Sequence, residues 1–306
     1  MAIQTEVWAR DIADALFPMN TFMAQSISDD QWVNNKTVHL PQSGVLPVVQ
    51  RNRSSYPATA SVRVDTDATY TLDEFTSDPT HIADIEQIET SYDKRQSVLR
   101  DHIEEIQKRC ANWMQYHWSP TTAANILRTT GGDRVAQVTG ATGNRKKLTI
   151  DDLILAKAAL DDMDVPAEGR YILIPAFQYN DLILDNKTTL LSMDISGEAR
   201  MQKGILSMIM GFTIVQRGKK NVLSYGNEAT PVPRPPDDAT DIAANAATLC
   251  WHSNFVRRAK GEVKVYENQD DALYYGSVFS AMARAGGRKR YTDATGVIAI
   301  VEAAGS

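Results

Sequence analysis

The chain has 306 residues, 43% of them hydrophobic and 23% charged, with a formal net charge of −6. A chain of this length buries a sizeable core without disulfides or structural metals. Its negative net charge argues against a surface dedicated to binding nucleic acid. Cys110 and Cys250 lie far apart and outside any CxxC motif. They offer neither a disulfide framework nor a zinc site, and they favour synthesis in a reducing compartment.

Nothing in the sequence indicates export or membrane insertion. Residues 1–17 carry acidic side chains among the apolar ones, which excludes the basic start and unbroken apolar run of a secretory signal. The longest apolar runs, such as 171–177, are much shorter than the ~20 residues that a membrane span requires. We therefore expect a soluble protein that does not enter a membrane.

The N-terminal part of the chain predicts an arm followed by a long hairpin. Residues 1–35 hold no long periodic pattern, which is typical of an arm that packs on another surface. Residues 62–70 alternate as a strand with one face in water does, and we predict two long strands closed by a polar tip around 50–56. Because an isolated two-stranded ribbon is marginal in water, this hairpin needs a partner surface, which another copy of the chain can supply.

A long helix, which we call the spine helix, is predicted at about 91–118. Thr90 with Asp93 forms a start similar to a capping box, and Ser119 with Pro120 ends the helix. At about 1.5 Å per residue the helix would be roughly 40 Å long. Its apolar stripe recurs at three- and four-residue spacing: Tyr92, Leu99, Ile103, Ile106, Cys110, Trp113 and Met114.

The second half of the chain predicts a compact α/β domain followed by strands. A capped helix begins at Thr149 with Asp152, and its predicted apolar face is Ile150, Leu153, Ile154 and Leu160. A strand at 171–175 leads into a short helix that starts just after Pro175. The remaining predicted features are strands at 204–217 with a break at Gly211, a proline-rich surface loop at 228–241, and strands at 261–268, 278–286 and 296–303.

The sequence gives no support for a catalytic residue, a metal site or a cofactor. The segment 139–149 superficially resembles a phosphate loop but lacks the Gly-Lys-Ser/Thr ending, so we predict a flexible surface loop. The histidines form no HExxH motif and no i,i+4 pair, and no GxSxG elbow occurs. We expect His102 and His117 on the flanks of the spine helix, and Cys110 as a buried small hydrophobe.

The order of these elements resembles that of the major capsid proteins of tailed bacteriophages, the family with the Hong Kong 97 fold. The similar strings lie at 164–183, 204–217 and 260–303, and they follow the long hairpin and the long helix. The resemblance implies an α+β fold. Its parts would be an N-terminal arm (1–35), an extended β-hairpin loop (36–79) reaching over a neighbouring subunit, a peripheral domain with the spine helix (80–125 and 251–290), and an axial α/β domain (126–250 and 291–306).

The resemblance also implies a function. The chain would be the major capsid protein of a tailed double-stranded DNA bacteriophage, assembling as hexamers and pentamers into an icosahedral head that encloses the genome without sequence-specific binding. It would be a structural protein of the virion and not an enzyme, assembled in the host bacterial cytoplasm. Besides itself, its partners would be a portal protein, a separate scaffolding protein and decoration proteins. An encapsulin-like shell of a cellular nanocompartment is the alternative, and a soluble α/β enzyme is a remote one.

The sequence departs from parts of the family in two ways. The hairpin starts within about forty residues of Met1, so we expect scaffolding to be a separate protein. The founding member joins its subunits by isopeptide bonds from a loop lysine, but here no lysine occurs from Thr37 to Asp93, so we expect a non-covalent shell. Contacts of the loop across the subunit boundary are instead expected from Arg51, Arg53 and Tyr56.

Two basic clusters are candidates for contact with packaged DNA or with acidic patches on neighbours. They are Arg257, Arg258 and Lys260, and the run of Arg284, Arg288, Lys289 and Arg290. The alternative is that both clusters are merely solvated faces or turns.

Overall fold

The computed structural model describes residues 21–42, 49, 51–54, 66–83, 94–185, 208–227, 229–238, 242–271 and 275–305. The described α-helices are α1 (Lys94–Trp118, the spine helix), α2 (Ile150–Asp162) and α3 (Ala176–Asp185). The strands are β1 (Ile27–Ser28), β2 (Val33–Asn34), β3 (Thr37–Gln42), β4 (Thr66–Thr71), β5 (Asp73–Thr76), β6 (Thr80–Ala83), β7 (Ile126–Arg128), β8 (Asp133–Val135), β9 (Asn144–Lys146), β10 (Arg170–Pro175), β11 (Met208–Ile209), β12 (Phe212–Arg217), β13 (Leu223–Tyr225), β14 (Asn245–His252), β15 (Val256–Asp271), β16 (Gly276–Lys289) and β17 (Val297–Val301).

The spine helix packs on a sheet that is five-stranded among the described residues. Its strand order is β1-β15-β16-β5, and β6 also pairs with β16. Ile106 and Cys110 of α1 are buried against the alanines of β16, whose small side chains let the helix approach the sheet closely. The alanines that form this contact are Ala281, Ala283 and Ala285.

A second sheet, seven-stranded among the described residues, forms the middle layer of a three-layer sandwich. Its order is β11-β12-β10-β14-β17-β7, and β13 pairs with β14. On β14, Leu249 and Trp251 face the end of α1 and Phe22, whereas Cys250 faces α2 and α3. Because both faces are covered, the central strands are continuous apolar runs, as 297–301 shows.

The base of the hairpin folds against its own chain. β3 pairs with β4 from Thr37↔Thr71 to Gln42↔Thr66, and Val38, Leu40 and Leu72 are buried together with Ala259 of β15. The expectation that this ribbon needs another copy to bury its apolar side chains is therefore wrong for its base. Of the predicted tip around 50–56, residues 51–54 are described, and residues 50, 55 and 56 lie outside the described residues.

The predicted helix boundaries are confirmed where the structure describes them. The spine helix ends at Trp118, where Ser119 Oγ donates a hydrogen bond to the carbonyl oxygen of Gln115 at 2.6 Å. Thr149 and Asp152 form a capping box at the start of α2. The predicted start near residue 91 and the cap at Thr90 and Asp93 lie outside the described residues.

Two side chains were predicted on the wrong face of their helix. Ile154 is 44% exposed, because the buried face of α2 runs through Asp152, Leu153, Ala156 and Leu160. Asp152, predicted as part of the helix cap, turns inward because its carboxylate accepts hydrogen bonds from Thr130 and from the amide of Thr149. His102 was predicted on a flank of the spine helix but is buried. His117 is half-buried, and its Nε2 atom lies 2.7 Å from Oδ2 of Asp73.

The prediction of a flexible loop at 139–149 is wrong. Asn144–Lys146 is strand β9, which pairs with β8. The buried Arg145 donates hydrogen bonds to the carbonyl oxygens of Ile242 and Ala244 and to two carbonyls of its own turn. The carbonyl groups of Ile242 and Ala244 thus hold the segment in place.

The predicted break at Gly211 is confirmed. Met210 and Gly211 have positive φ angles in a two-residue turn between β11 and β12.

Candidate assembly interface

The described part of the arm is held by the beginning of β15. β1 runs parallel to β15 with Ile27 opposite Arg257. Arg258 Nη1 donates hydrogen bonds at 2.9 Å to the carbonyl oxygens of Met23, Ala24 and Ser26. Burial lowers the pKa of Arg258, although Asp30 raises it. The guanidinium therefore clamps the arm to its own chain.

The base of the hairpin meets the arm at Asp29. The Asp29 carboxylate accepts hydrogen bonds from Arg257 Nη1 at 2.5 Å and from Tyr70 Oη at 3.1 Å. Only 1% of the Asp29 surface is exposed, and burial raises its pKa while Arg257 lowers it. Arg288 lies over the ring of Tyr70 at 5.9 Å. The arm, β4 and β15 thus share one buried polar contact.

The other basic residues of the two clusters also have partners in their own chain. Burial lowers the pKa of Lys289. The contacts are Lys289 Nζ to the Ser119 carbonyl at 2.6 Å, Arg288 Nε to the Lys289 carbonyl at 3.0 Å, Arg290 Nη1 to the Asn254 carbonyl at 3.3 Å, Arg284 to Glu74 at 3.1 Å, and the Lys260 amide to Asp30 at 2.8 Å. Contact of these residues with DNA or with a neighbour stays a prediction.

The hairpin is cationic beyond its base. No aspartate or glutamate occurs from Thr37 to Val64, a stretch that includes Arg51, Arg53 and Arg63. Arg51 is exposed and Arg53 is half-buried, whereas Tyr56 lies outside the described residues. We call residues 43–64 the loop. Its acid-free composition is visible in the sequence itself.

An acidic groove of about 640 Å³ opens between the spine helix and strands β5 and β6. His102 lies in its wall, and His102 Nε2 has no hydrogen-bond partner within the described part of the chain. Burial lowers the pKa of His102, although Asp101 raises it. Arg109 forms ion pairs within the groove. The carboxylates that line the groove are Glu74, Asp78, Asp101, Glu105 and Asp237.

A buried ionic network braces the seven-stranded sheet on the side of α3. Arg134 forms ion pairs with Asp181, at 3.1 Å, and with Glu302. Gln178 donates a hydrogen bond to Glu302 at 3.3 Å, and the amide of Ala246 donates another at 3.1 Å. Burial raises the pKa of both carboxyls, whereas Arg134 lowers it. The sequence patterns gave no sign of this network.

Neither a metal centre nor a membrane span is found in the described part of the chain. Across these residues no three side chains of histidine, cysteine, aspartate or glutamate lie close enough together to hold a metal ion. No described helix combines the length and the apolar character needed to cross a bilayer.

Comparison with solved structures assigns the fold. The capsid of Ralstonia phage GP4 superimposes with a TM-score of 0.63 at 13% identity, covering 92% of this chain and 88% of that one. The capsid of cyanophage P-SCSP1u gives 0.61 at 19% identity, with coverages of 92% and 87%. Mycobacterium phage Che8 gives 0.54 at 16% identity, with coverages of 94% and 90%. These likenesses confirm the predicted α+β capsid fold.

The sequence searches give a family but no individual relative. No curated protein sequence matches the chain. The family model described as phage capsid protein matches residues 86–301, which is well over half of the chain. The match covers the spine helix, the seven-stranded sheet, and strands β15 and β16 of the five-stranded sheet. The chain belongs to the phage capsid protein family.

Proposed function

We propose that this chain is the major capsid protein of a tailed double-stranded DNA bacteriophage, which assembles as hexamers and pentamers into an icosahedral head around the genome. The family match over residues 86–301 is the observation that carries this proposal. The capsid fold of the described residues supports it. The function is structural: each copy covers surfaces that a single copy leaves open.

We propose that the loop of one copy binds in the acidic groove of the next. The loop brings arginines and no carboxylates. The groove brings five carboxylates, of which Glu74, Glu105 and Asp237 also pair with arginines of their own chain. Guanidinium groups match carboxylates in a bidentate geometry, so Arg51 and Arg53 fit this surface better than lysines would.

The anchoring of the hairpin favours this arrangement between copies. Its base is fixed to its own chain by Val38, Leu72 and Tyr70. Between the two strands of this base the chain continues for the length of the loop, and half of the loop, fully extended, would span roughly 35 Å. The cost of ordering it is offset when its side chains are buried against a second copy.

Double charge reversal tests this contact. We expect Arg51→Glu with Arg53→Glu to abolish shells seen by negative-stain microscopy and sedimentation velocity, while the circular dichroism of the subunit stays unchanged. Asp101→Lys with Glu105→Lys in the same chain should restore shells in part. The matched control reverses the exposed Lys219 and Lys220. Normal shells from the loop variant would refute the docking, and a wild-type chain that never assembles would refute the function.

Further partners and properties are proposals that the family resemblance supports. We propose a portal protein, a separate scaffolding protein and decoration proteins as partners, assembly in the host bacterial cytoplasm, and no enzymatic activity. The basic clusters at 257–260 and 284–290 already form hydrogen bonds and ion pairs within their own chain. They would contact DNA or neighbouring copies only through the donor groups that these contacts leave open. Loose, non-specific contact with the genome fits the net charge of −6.

A further inference from the structure

We propose that Asp29 is a positioning residue for assembly: it couples the seating of the arm on β15 to the direction in which the loop leaves the chain. This inference rests on the proposed function, because the direction of the loop matters only if the loop meets another copy. The observation behind it is the buried contact of the Asp29 carboxylate with both Tyr70 and Arg257.

The arm sets the position of Asp29. The amide of Asp29 donates a hydrogen bond to the carbonyl oxygen of Arg258 at 2.8 Å, and the side chain of Arg258 holds three carbonyl groups of the arm. Asp30, the next residue, accepts a hydrogen bond from the Lys260 amide at 2.8 Å. These hydrogen bonds link the position of Asp29 to that of the arm, and the position of the arm to that of the start of β15.

Asp29 in turn orients the hairpin. Tyr70 lies opposite Val38 in the register of β3 and β4, and the pairing continues outward to Gln42 and Thr66. A rotation of the base at Tyr70 is carried along the paired strands to that end. The apolar contacts of Val38 and Leu72 hold the base down but set no direction, because dispersion and burial are non-directional. A hydrogen bond to a fixed carboxylate does set one.

Burying a carboxylate at position 29 costs free energy of folding. Asp29 is almost completely buried, and a buried charge costs free energy unless it is paired and hydrogen-bonded. Arg257 supplies the pairing, and Tyr70 supplies a second bond from a segment far away in the chain. The arrangement therefore fixes the relative orientation of the arm, the base of the hairpin and β15, which apolar packing alone would not do.

Hydrogen–deuterium exchange on the unassembled subunit tests the coupling. We expect Asp29→Asn and Tyr70→Phe each to raise the exchange rate of amides in β3 and β4 at least tenfold. Arg258→Met, which releases the arm, should raise it as much. In the Asp29→Asn background, Arg258→Met should add less than twofold, because the relay is already broken. Asp162→Asn, at an exposed carboxylate on α2, is the charge control.

The outcomes separate this inference from the proposed function. If the Arg258→Met and Asp29→Asn effects multiply, or if Tyr70→Phe leaves the exchange rate unchanged, Asp29 is only a local structural contact and the inference is overturned. We also expect Tyr70→Phe, which keeps the packing of the ring, to give open or irregular shells. Regular shells from this variant would overturn the inference while leaving the function intact. Failure of the wild-type chain to assemble would instead overturn the function.

Discussion

The indole rings of Trp118 and Trp251 pack with their centroids 5.7 Å apart, which joins the end of the spine helix to the centre of the seven-stranded sheet. Both side chains are fully buried. Trp118 Nε1 also donates a hydrogen bond to the carbonyl oxygen of Arg257 at 3.0 Å, on a strand of the other sheet. One residue thus ties the helix to both sheets.

Replacement of this residue should destabilise the subunit strongly. We expect Trp118→Ala to lower the free energy of unfolding by about 3–5 kcal/mol, because it leaves a cavity where three elements meet. Denaturant unfolding followed by circular dichroism measures the loss. The matched control is Trp32→Ala, at a tryptophan that is 45% exposed, where we expect about 1 kcal/mol. Equal losses at both positions would contradict the role of Trp118.

At Gly287, side chains of the spine helix pack directly on the backbone of β16. A Cβ atom there would lie 2.2 Å from Met114 Sδ and 2.8 Å from the Arg257 carbonyl oxygen. We expect Gly287→Ala to cost about 1–3 kcal/mol through overpacking. At Gly132 a Cβ atom would meet nothing within 4 Å, so Gly132→Ala should stay within about 0.5 kcal/mol of wild type. Thermal unfolding of both variants compares them, and a neutral Gly287→Ala would refute the close packing.

The buried ionic network should respond to loss of its cation. Arg134→Met removes the ion-pair partner of the buried Asp181 and Glu302, although the charges of Lys147 and Arg145 still act on them. We expect the free energy of unfolding to fall by about 3–5 kcal/mol at pH 7.5. The loss should shrink as the pH falls, because the folded variant then binds protons on these carboxyls more readily than the unfolded chain does. Arg234→Met, which breaks a more exposed pair with Asp238, should cost about 0.5 kcal/mol. A loss at Arg134 that does not vary with pH would contradict this account.

The buried imidazole of His102 predicts acid sensitivity. Burial lowers the pKa of His102 below its unfolded value of about 6.5, so the unfolded chain binds more protons in the window just below that pH. The contribution of His102 to stability is therefore complete above about pH 6.5 and is lost as the pH falls through it. We expect His102→Gln to lose less stability than wild type between pH 7.5 and 5.5 in urea unfolding. The exposed His39, replaced by Gln, is the control, and parallel curves for wild type and His102→Gln would exclude this role.

Local sequence signals predicted much of the fold. The capping box at Thr149 and the Ser119-Pro120 stop depend on residues a few positions apart, so the chain shows them directly. The strand at 171–175 and the turn at Gly211 are local in the same sense. Together with the order of the elements, these signals were enough to indicate the family.

Features that depend on distant partners could not be predicted. Arg145 is buried because carbonyl groups about a hundred residues away accept its hydrogen bonds, and Asp152 points inward because Thr130 binds it. Asp29 and Tyr70 meet only after the arm and the hairpin have folded. The central strand β14 is missing from the predicted elements, because its Ala, Thr and Cys residues alternate only weakly between apolar and polar.

A cryo-electron microscopy reconstruction of the particles formed by the purified chain tests the central claim most directly. We predict a closed icosahedral lattice of hexamers and pentamers, in which density for residues 43–64 leaves one subunit and lies in the acidic groove of the next. Arg51 or Arg53 should lie within hydrogen-bonding distance of the carboxylates of Asp101 or Glu105. A chain that stays monomeric, with that segment folded back on its own spine helix, would contradict the account.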